Sequence, residues 1–221
     1  VVENVKLSDF ARREILALRQ NLITKVMEYE KDVIYKKYEH KIGELITGEV
    51  NQVFKKEILV HDEDDVELVL PRSEQIPADK YKKGDTLTAV VARVDVNSST
   101  PRITISRTSP QFLERLMETE IPEVYDGLIT IKNVVRTPGE RAKVLVESYD
   151  DRIDPVGACV GMKGSRIHSI VRELRNENID VINYTSNTSL LISRALSPAK
   201  ISSIELDEDN KTANVYMKPD Q

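Results

Sequence analysis

The chain has no tryptophan, three phenylalanines and one cysteine in 221 residues. A single cysteine excludes an intramolecular disulfide framework and fits a reducing cytoplasm. No apolar run approaches the roughly 18–20 residues that cross a bilayer, and the opening VVENVKLSDF lacks a signal peptide's shape. No membrane partner is therefore expected. Nor is there a basic excess: the formal net charge is −5, which argues against indiscriminate binding to polyanions. The chain also lacks an initiator methionine and reads as a fragment.

Catalytic signatures are missing too. No paired acid and base and no activated nucleophile can be assembled, so no enzyme is expected. His40, His61 and His168 fall in different modules without metal-ligand spacing to Cys159, and neither metal nor cofactor is expected. Cys159, between Ala158 and Val160, reads as a buried thiol. The acidic run at 62–65 lacks the glycine and terminal glutamate of a calcium loop and reads as a solvated hairpin turn.

What is present is an ordinary soluble composition, 40% apolar and 31% charged, long enough for one to three small domains. Residues 1–7 suit a short strand, with Ser8 and Asp9 as a helix cap. Ile15, Leu18, Leu22, Val26, Tyr29 and Val33 then recur at three- and four-residue steps, predicting one helix to about His40. It is read as a strut, with an ordinary core helix broken near Lys31 as the alternative. From Gly43 the period becomes two, with strands expected at 44–54, 57–61, 66–70, 87–96 and 102–107. Five strands with a long excursion after the third suit a closed barrel of the OB type, an SH3-like barrel being the alternative.

Beyond the barrel, 110–126 predicts a helix with Phe112, Leu113, Leu116 and Met117 on its apolar face. Strands at 128–135 and 142–146 follow, then a helix opened by Asp154 and Pro155 and stopped at Gly161. A second helix, with Ile167, Ile170, Val171 and Leu174 on one face, leads to a strand at 179–182. A short helix at 190–196 and strands at 201–206 and 213–217 then restart the same pattern, which implies tandem modules with the last one incomplete. Its apolar faces are expected to lack partners.

Charge is uneven along this order. Residues 127–194 carry ten Lys/Arg against eight Asp/Glu, whereas 108–126 carry one against five and 195–221 three against five. The basic excess coincides with Gly161-Met162-Lys163-Gly164, between a short helix and the N-terminus of a longer one. Unpaired amides at a helix N-terminus attract an anion, glycine admits a phosphate closely, and Lys163 adds charge. Arg166 follows one turn later, and Ile167 with Ile170 offers an apolar floor for bases. This is the clamp of a KH module for a single-stranded backbone. The stretch fails as an ATPase phosphate loop, because Met162 stands where the second glycine belongs and Gly164 follows the lysine. Flanking strands speak against a helix-turn-helix. A tight structural turn with no ligand stays open.

The residues DPVGACVGMKGSRIHSIVREL closely resemble the first KH domain of the NusA family of bacterial transcription factors. SRTSPQFLERLMETEIPEVYDG is similar to that family's segment between its S1-motif barrel and KH domain, and ISRALSPAKISSIELDEDNKTANVYM to the start of its second KH domain. The resemblance implies a multidomain α+β chain. Residues 1–42 end an RNA-polymerase-binding domain and its connecting helix, 43–108 form a five-stranded OB-type (S1 motif) barrel, 109–186 a type II KH domain, and 187–221 a partial second KH domain. It further implies a cytoplasmic monomer that contacts nascent RNA, RNA polymerase and other transcription factors to modulate pausing, termination and antitermination. The expected RNA-binding residues are Gly161, Met162, Lys163, Gly164, Ser165, Arg166, Ile167 and Ile170, with Arg141 and Lys143 as neighbours. An RNA-degradation cap subunit and a protein-only scaffold are the rival readings. S1-type barrels stack bases on aromatics, but Ile58 and Leu70 occupy the candidate positions here. Phe54 is expected in the core, beside solvated Lys55 and Lys56.

Overall fold

A computed structural model describes residues 10–96, 101–207 and 209–217. The expected strand at 1–7 and the cap residues Ser8 and Asp9 lie outside the described residues. The chain divides into two compact units, Val1–Glu74 with Tyr81–Arg107, and Gln75–Lys80 with Thr108–Gln221.

The first unit begins with α1 (Arg12–Glu39), whose N-cap is Ala11. The Ala11 amide donates to Glu14 Oε2 at 2.8 Å, satisfying one of the donors a helix start leaves open. The helix runs unbroken through Lys31 for 28 residues, about 42 Å at 1.5 Å per residue. Leu18, Leu22 and Tyr29 are exposed, so the ordinary core helix is set aside. Near its end Tyr38 is fully buried and joins the barrel core, and its hydroxyl donates to Asp62. Burial alone raises the Asp62 pKa, but the Tyr38 hydroxyl, the amides of Val66 and Asp64 and the Lys37 charge outweigh it and hold the carboxyl below its usual range.

Five strands then close a barrel in the order β1-β2-β3-β5-β4: β1 (Leu45–Val53), β2 (Glu57–His61), β3 (Glu67–Pro71), β4 (Thr86–Asp95) and β5 (Arg102–Ser106). β3 and β5 run parallel; the other neighbours are antiparallel, including the β1–β4 pair that completes the closure. This is the OB arrangement, and closure leaves no edge strand to protect. Alternating Ile58, Val60, Leu68, Leu70, Leu87, Ala89, Ile103 and Ile105 fill the interior. Ile58 and Leu70 face each other across β2 and β3 in that interior, so they are not the surface positions at which a base could stack. Phe54 corrects a second expectation. It lies in the β1–β2 turn and is 52% exposed.

In the second unit, the helix expected over 110–126 is two helices, α2 (Pro110–Glu120) and α3 (Pro122–Tyr125). Pro122 cannot donate to the α2 ladder, and Ile121 before it is extended. Phe112, Leu113, Leu116 and Met117 are buried as expected. β6 (Ile129–Thr137) and β7 (Arg141–Ser148) pair antiparallel. The chain then passes through α4 (Pro155–Val160) and α5 (Ser165–Glu173) before β8 (Asn178–Asn183) joins β7 in parallel. The sheet order β6-β7-β8 leaves β8 at an edge. Last come α6 (Thr188–Leu196), β9 (Ile201–Asp207) and β10 (Thr212–Met217), the two strands forming their own antiparallel pair. Leu190, Leu196, Leu206, Tyr216 and Met217 are exposed there, so the apolar faces of this incomplete module lack cover among the described residues.

Candidate nucleic-acid interface

The glycine loop is built from both sides. Asp154 caps α4 by accepting from the Val156 amide, and Pro155 takes the first helical position, where no donor is needed. Gly161 ends α4 at φ +74°, a region that favours glycine. A single 3₁₀ turn, Met162–Gly164, leads into α5, with Lys163 at φ +53° and Gly164 at φ +78°. Neither glycine can gain a side chain without a clash. A Cβ at Gly161 would stand 2.9 Å from Arg166 Cγ, and one at Gly164 the same distance from the His168 ring. The loop is thus a left-handed bend that sequence composition enforces, and it pushes its two central side chains outward. Met162 is 89% exposed, and Lys163 is exposed with no carboxylate partner among the described residues.

The other expected residues are placed less openly. Ser165 is exposed at the start of α5. Arg166 turns back onto the protein, donating to Ala158 O at 2.7 Å and to Glu123 Oε2 at 2.8 Å. Ile167 and Ile170 correct an expectation: both are buried, so they expose no apolar floor for bases. Lys143 pairs with Asp180 at 3.1 Å and also donates to Ser197 O, while Arg141 lies 4.0 Å from the same carboxylate.

Arg141 and Lys143 line a cleft of about 700 Å³ along β8, together with Val156 of α4 and with Arg194, Ser197 and Pro198. The edge strand itself supplies Asn178 through Asn183, and Arg194 donates to Asn183 O at 2.8 Å. Residue-by-residue reading placed this strand at 179–182 but assigned neither it nor Arg194 to the site. The usable signal was topological: the last strand after a helical crossover joins a three-stranded sheet at its edge.

One buried ion pair holds that edge in place. Arg136 donates from Nε and Nη2 to the two oxygens of Glu177, at 2.9 and 2.8 Å, and both side chains are essentially sealed from solvent. Glu177 also accepts from the Gly139 amide, and Arg136 reaches Ser109 O, so the charges are fully hydrogen-bonded. Cys159 is buried beneath the loop. Burial foremost, with the Glu123 charge adding to it, pushes its thiol up to about 12 against the opposing pull of Arg166. No group of three or more His, Cys, Asp or Glu suited to a metal occurs among the described residues. No described helix is long and apolar enough to cross a membrane.

A closed OB barrel followed by a KH fold with its glycine loop defines a class of protein built from single-strand nucleic-acid-binding modules. Sequence comparison agrees module by module: residues 39–106 match the S1 RNA binding domain, 107–184 the NusA-like first KH domain and 188–221 the NusA-like second KH domain. The chain is 38% identical to the transcription termination/antitermination protein NusA of Thermus thermophilus, over 96% of this chain and 55% of that protein. The NusA proteins of Halalkalibacterium halodurans and Bacillus subtilis are also 38% identical, over 95% of this chain and 54% and 56% of theirs. Over the stretch it shares with them, the chain belongs to the NusA family. It spans about half the length of these curated relatives.

Proposed function

We propose that this chain binds single-stranded RNA through Gly161, Met162, Lys163, Gly164 and Ser165, as part of a non-catalytic transcription factor acting in pausing, termination and antitermination. RNA polymerase is the expected protein partner, by way of kinship with proteins named for termination and antitermination. A division into modules at 42/43, 108/109 and 186/187 belongs to the same reading. The observation that carries the RNA assignment is Lys163: it stands on a left-handed bend with no carboxylate partner among the described residues, whereas Arg166, Lys143 and Arg141 already face carboxylates. A cation already paired has less to gain from a phosphate. From the loop, the strand would follow the cleft lined by β8 and by Arg141, Lys143 and Arg194.

The test is binding of a 12-nucleotide oligouridine to the chain and to the double variant Met162→Asp, Lys163→Asp, at several salt concentrations. Affinity should fall about tenfold or more, and the slope of log K against log salt should become shallower by about 0.7 for each phosphate that the variant no longer neutralises. Unchanged affinity and slope in a folded variant would remove the loop from the RNA path.

A further inference from the structure

We infer that Glu123 and Arg166 are positioning residues that set the shape of the glycine loop, and that Arg166 is not itself a phosphate contact. The inference rests on the loop being the RNA-binding element. Arg166 belongs to α5, the arm that leaves the loop. Its stem crosses against the Gly161 backbone, where a Cβ would lie within 3.2 Å of its Cβ, Cγ and Cδ. Its Nη1 then reaches Ala158 O in the last turn of α4, the arm that enters the loop. Carbonyls in that position have no partner within their own helix, so the guanidinium supplies one. The same nitrogen donates to Glu123, fixed at the start of α3 by the Pro122 turn. One side chain thus fastens both arms of the loop, and a third segment anchors it. The absence of a side chain at Gly161 makes room for the crossing. The glycine therefore serves the arginine as well as the backbone turn.

The geometry inverts a simple electrostatic expectation. Glu123 is an anion close to an RNA-binding loop, so its removal should strengthen binding if charge alone mattered. If it positions Arg166, its removal weakens binding. The experiment compares the chain with Glu123→Gln, Arg166→Ala and Arg166→Lys, using the 12-nucleotide oligouridine across salt concentrations. Hydrogen exchange is measured at the Gly164 and Ser165 amides, which bond to Gly161 O and Met162 O within the loop.

Expected are a loss of about fivefold in affinity for Glu123→Gln and Arg166→Ala, an unchanged salt slope, and faster exchange at both amides. Arg166→Lys should restore little, because its ammonium sits on a shorter stem and does not reach as far as Nη1. Tighter binding by Glu123→Gln, or unchanged binding with unaltered exchange, overturns the inference. So does a slope made shallower by about 0.7 in Arg166→Ala with full rescue by lysine, which would make Arg166 a phosphate contact. Exchange separates this inference from the RNA reading itself. Unaltered exchange in both variants refutes positioning even where RNA binds the loop. Accelerated exchange upholds it even where the Met162, Lys163 double variant shows that RNA binds elsewhere.

Discussion

The glycine loop and the outer face of β2 and β3 are surfaces of two nucleic-acid-binding folds, made of opposite materials. On the loop, left-handed backbone thrusts out a methionine and a lysine that has no carboxylate partner among the described residues. On the barrel face, the outward positions include Glu57, Leu59, His61 and Glu67, and the polar groups of Glu57 and His61 are occupied by neighbours. His61 bonds Asp65 and Asn51, and Glu57 pairs with Arg102. The loop therefore offers a polyanion an unsatisfied positive group. The barrel face offers it carboxylates and no Phe, Tyr or Trp on either strand. A fold's usual ligand does not pass to every member of the fold. It passes where the exposed side chains still have something to gain.

The contrast depends on a rigid KH scaffold, and the sharpest way to break it is to remove that support. Arg136→Ala leaves Glu177 buried without its guanidinium, which should cost about 3–5 kcal/mol. Urea unfolding read separately by hydrogen exchange in the two units should show the loss in the KH unit. An equal loss in the barrel, or a loss under about 1 kcal/mol, would mean that the pair does not secure the β8 edge. A smaller effect is expected at the loop. Gly164→Ala places a side chain at φ +78° and against the His168 ring, at about 1–2 kcal/mol for the left-handed backbone alone. Thermal unfolding should register that cost, with oligouridine affinity falling alongside. A stable Gly164→Ala variant with full affinity would show that the bend is not what presents Lys163.

Much of this contrast was legible in the sequence, and the exceptions share a cause. Strand alternation in VARVDV and RITISR placed β4 and β5, and Asp154-Pro155 with Gly161 marked both ends of α4, because caps and period-two patterns are local signals. The break at Ile121 escaped notice although Pro122 announced it, since the apolar pattern continues across it. The directions of Ile58, Leu70, Ile167 and Ile170 were missed. Each depends on which face of its element meets the core, and the period fixes alternation without saying which residues a ligand can reach. The ion pair of Arg166 was missed as well, because a sequence shows charge and hides its partner. Glu123 lies 43 positions away, beyond any local pattern.

Phe54 carries the smallest and most discriminating prediction, because it is where the barrel most resembles the loop. It is a half-exposed aromatic ring in a turn, followed by exposed Lys55 and Lys56, which are the materials of a stacking site with adjacent charge. A base stacked on it would be worth about 1–3 kcal/mol by alanine substitution. Phe54→Ala on a solvent-facing turn should change stability by no more than about 0.5 kcal/mol, so RNA affinity can be measured without a folding defect. Contrast between the two surfaces predicts less than about a twofold loss of affinity for oligouridine, equivalent to roughly 0.4 kcal/mol. A tenfold loss would place a base on the β1–β2 turn. RNA binding on the barrel would then have moved from the strand face to its rim, and the barrel would count as a second binding surface in its own right.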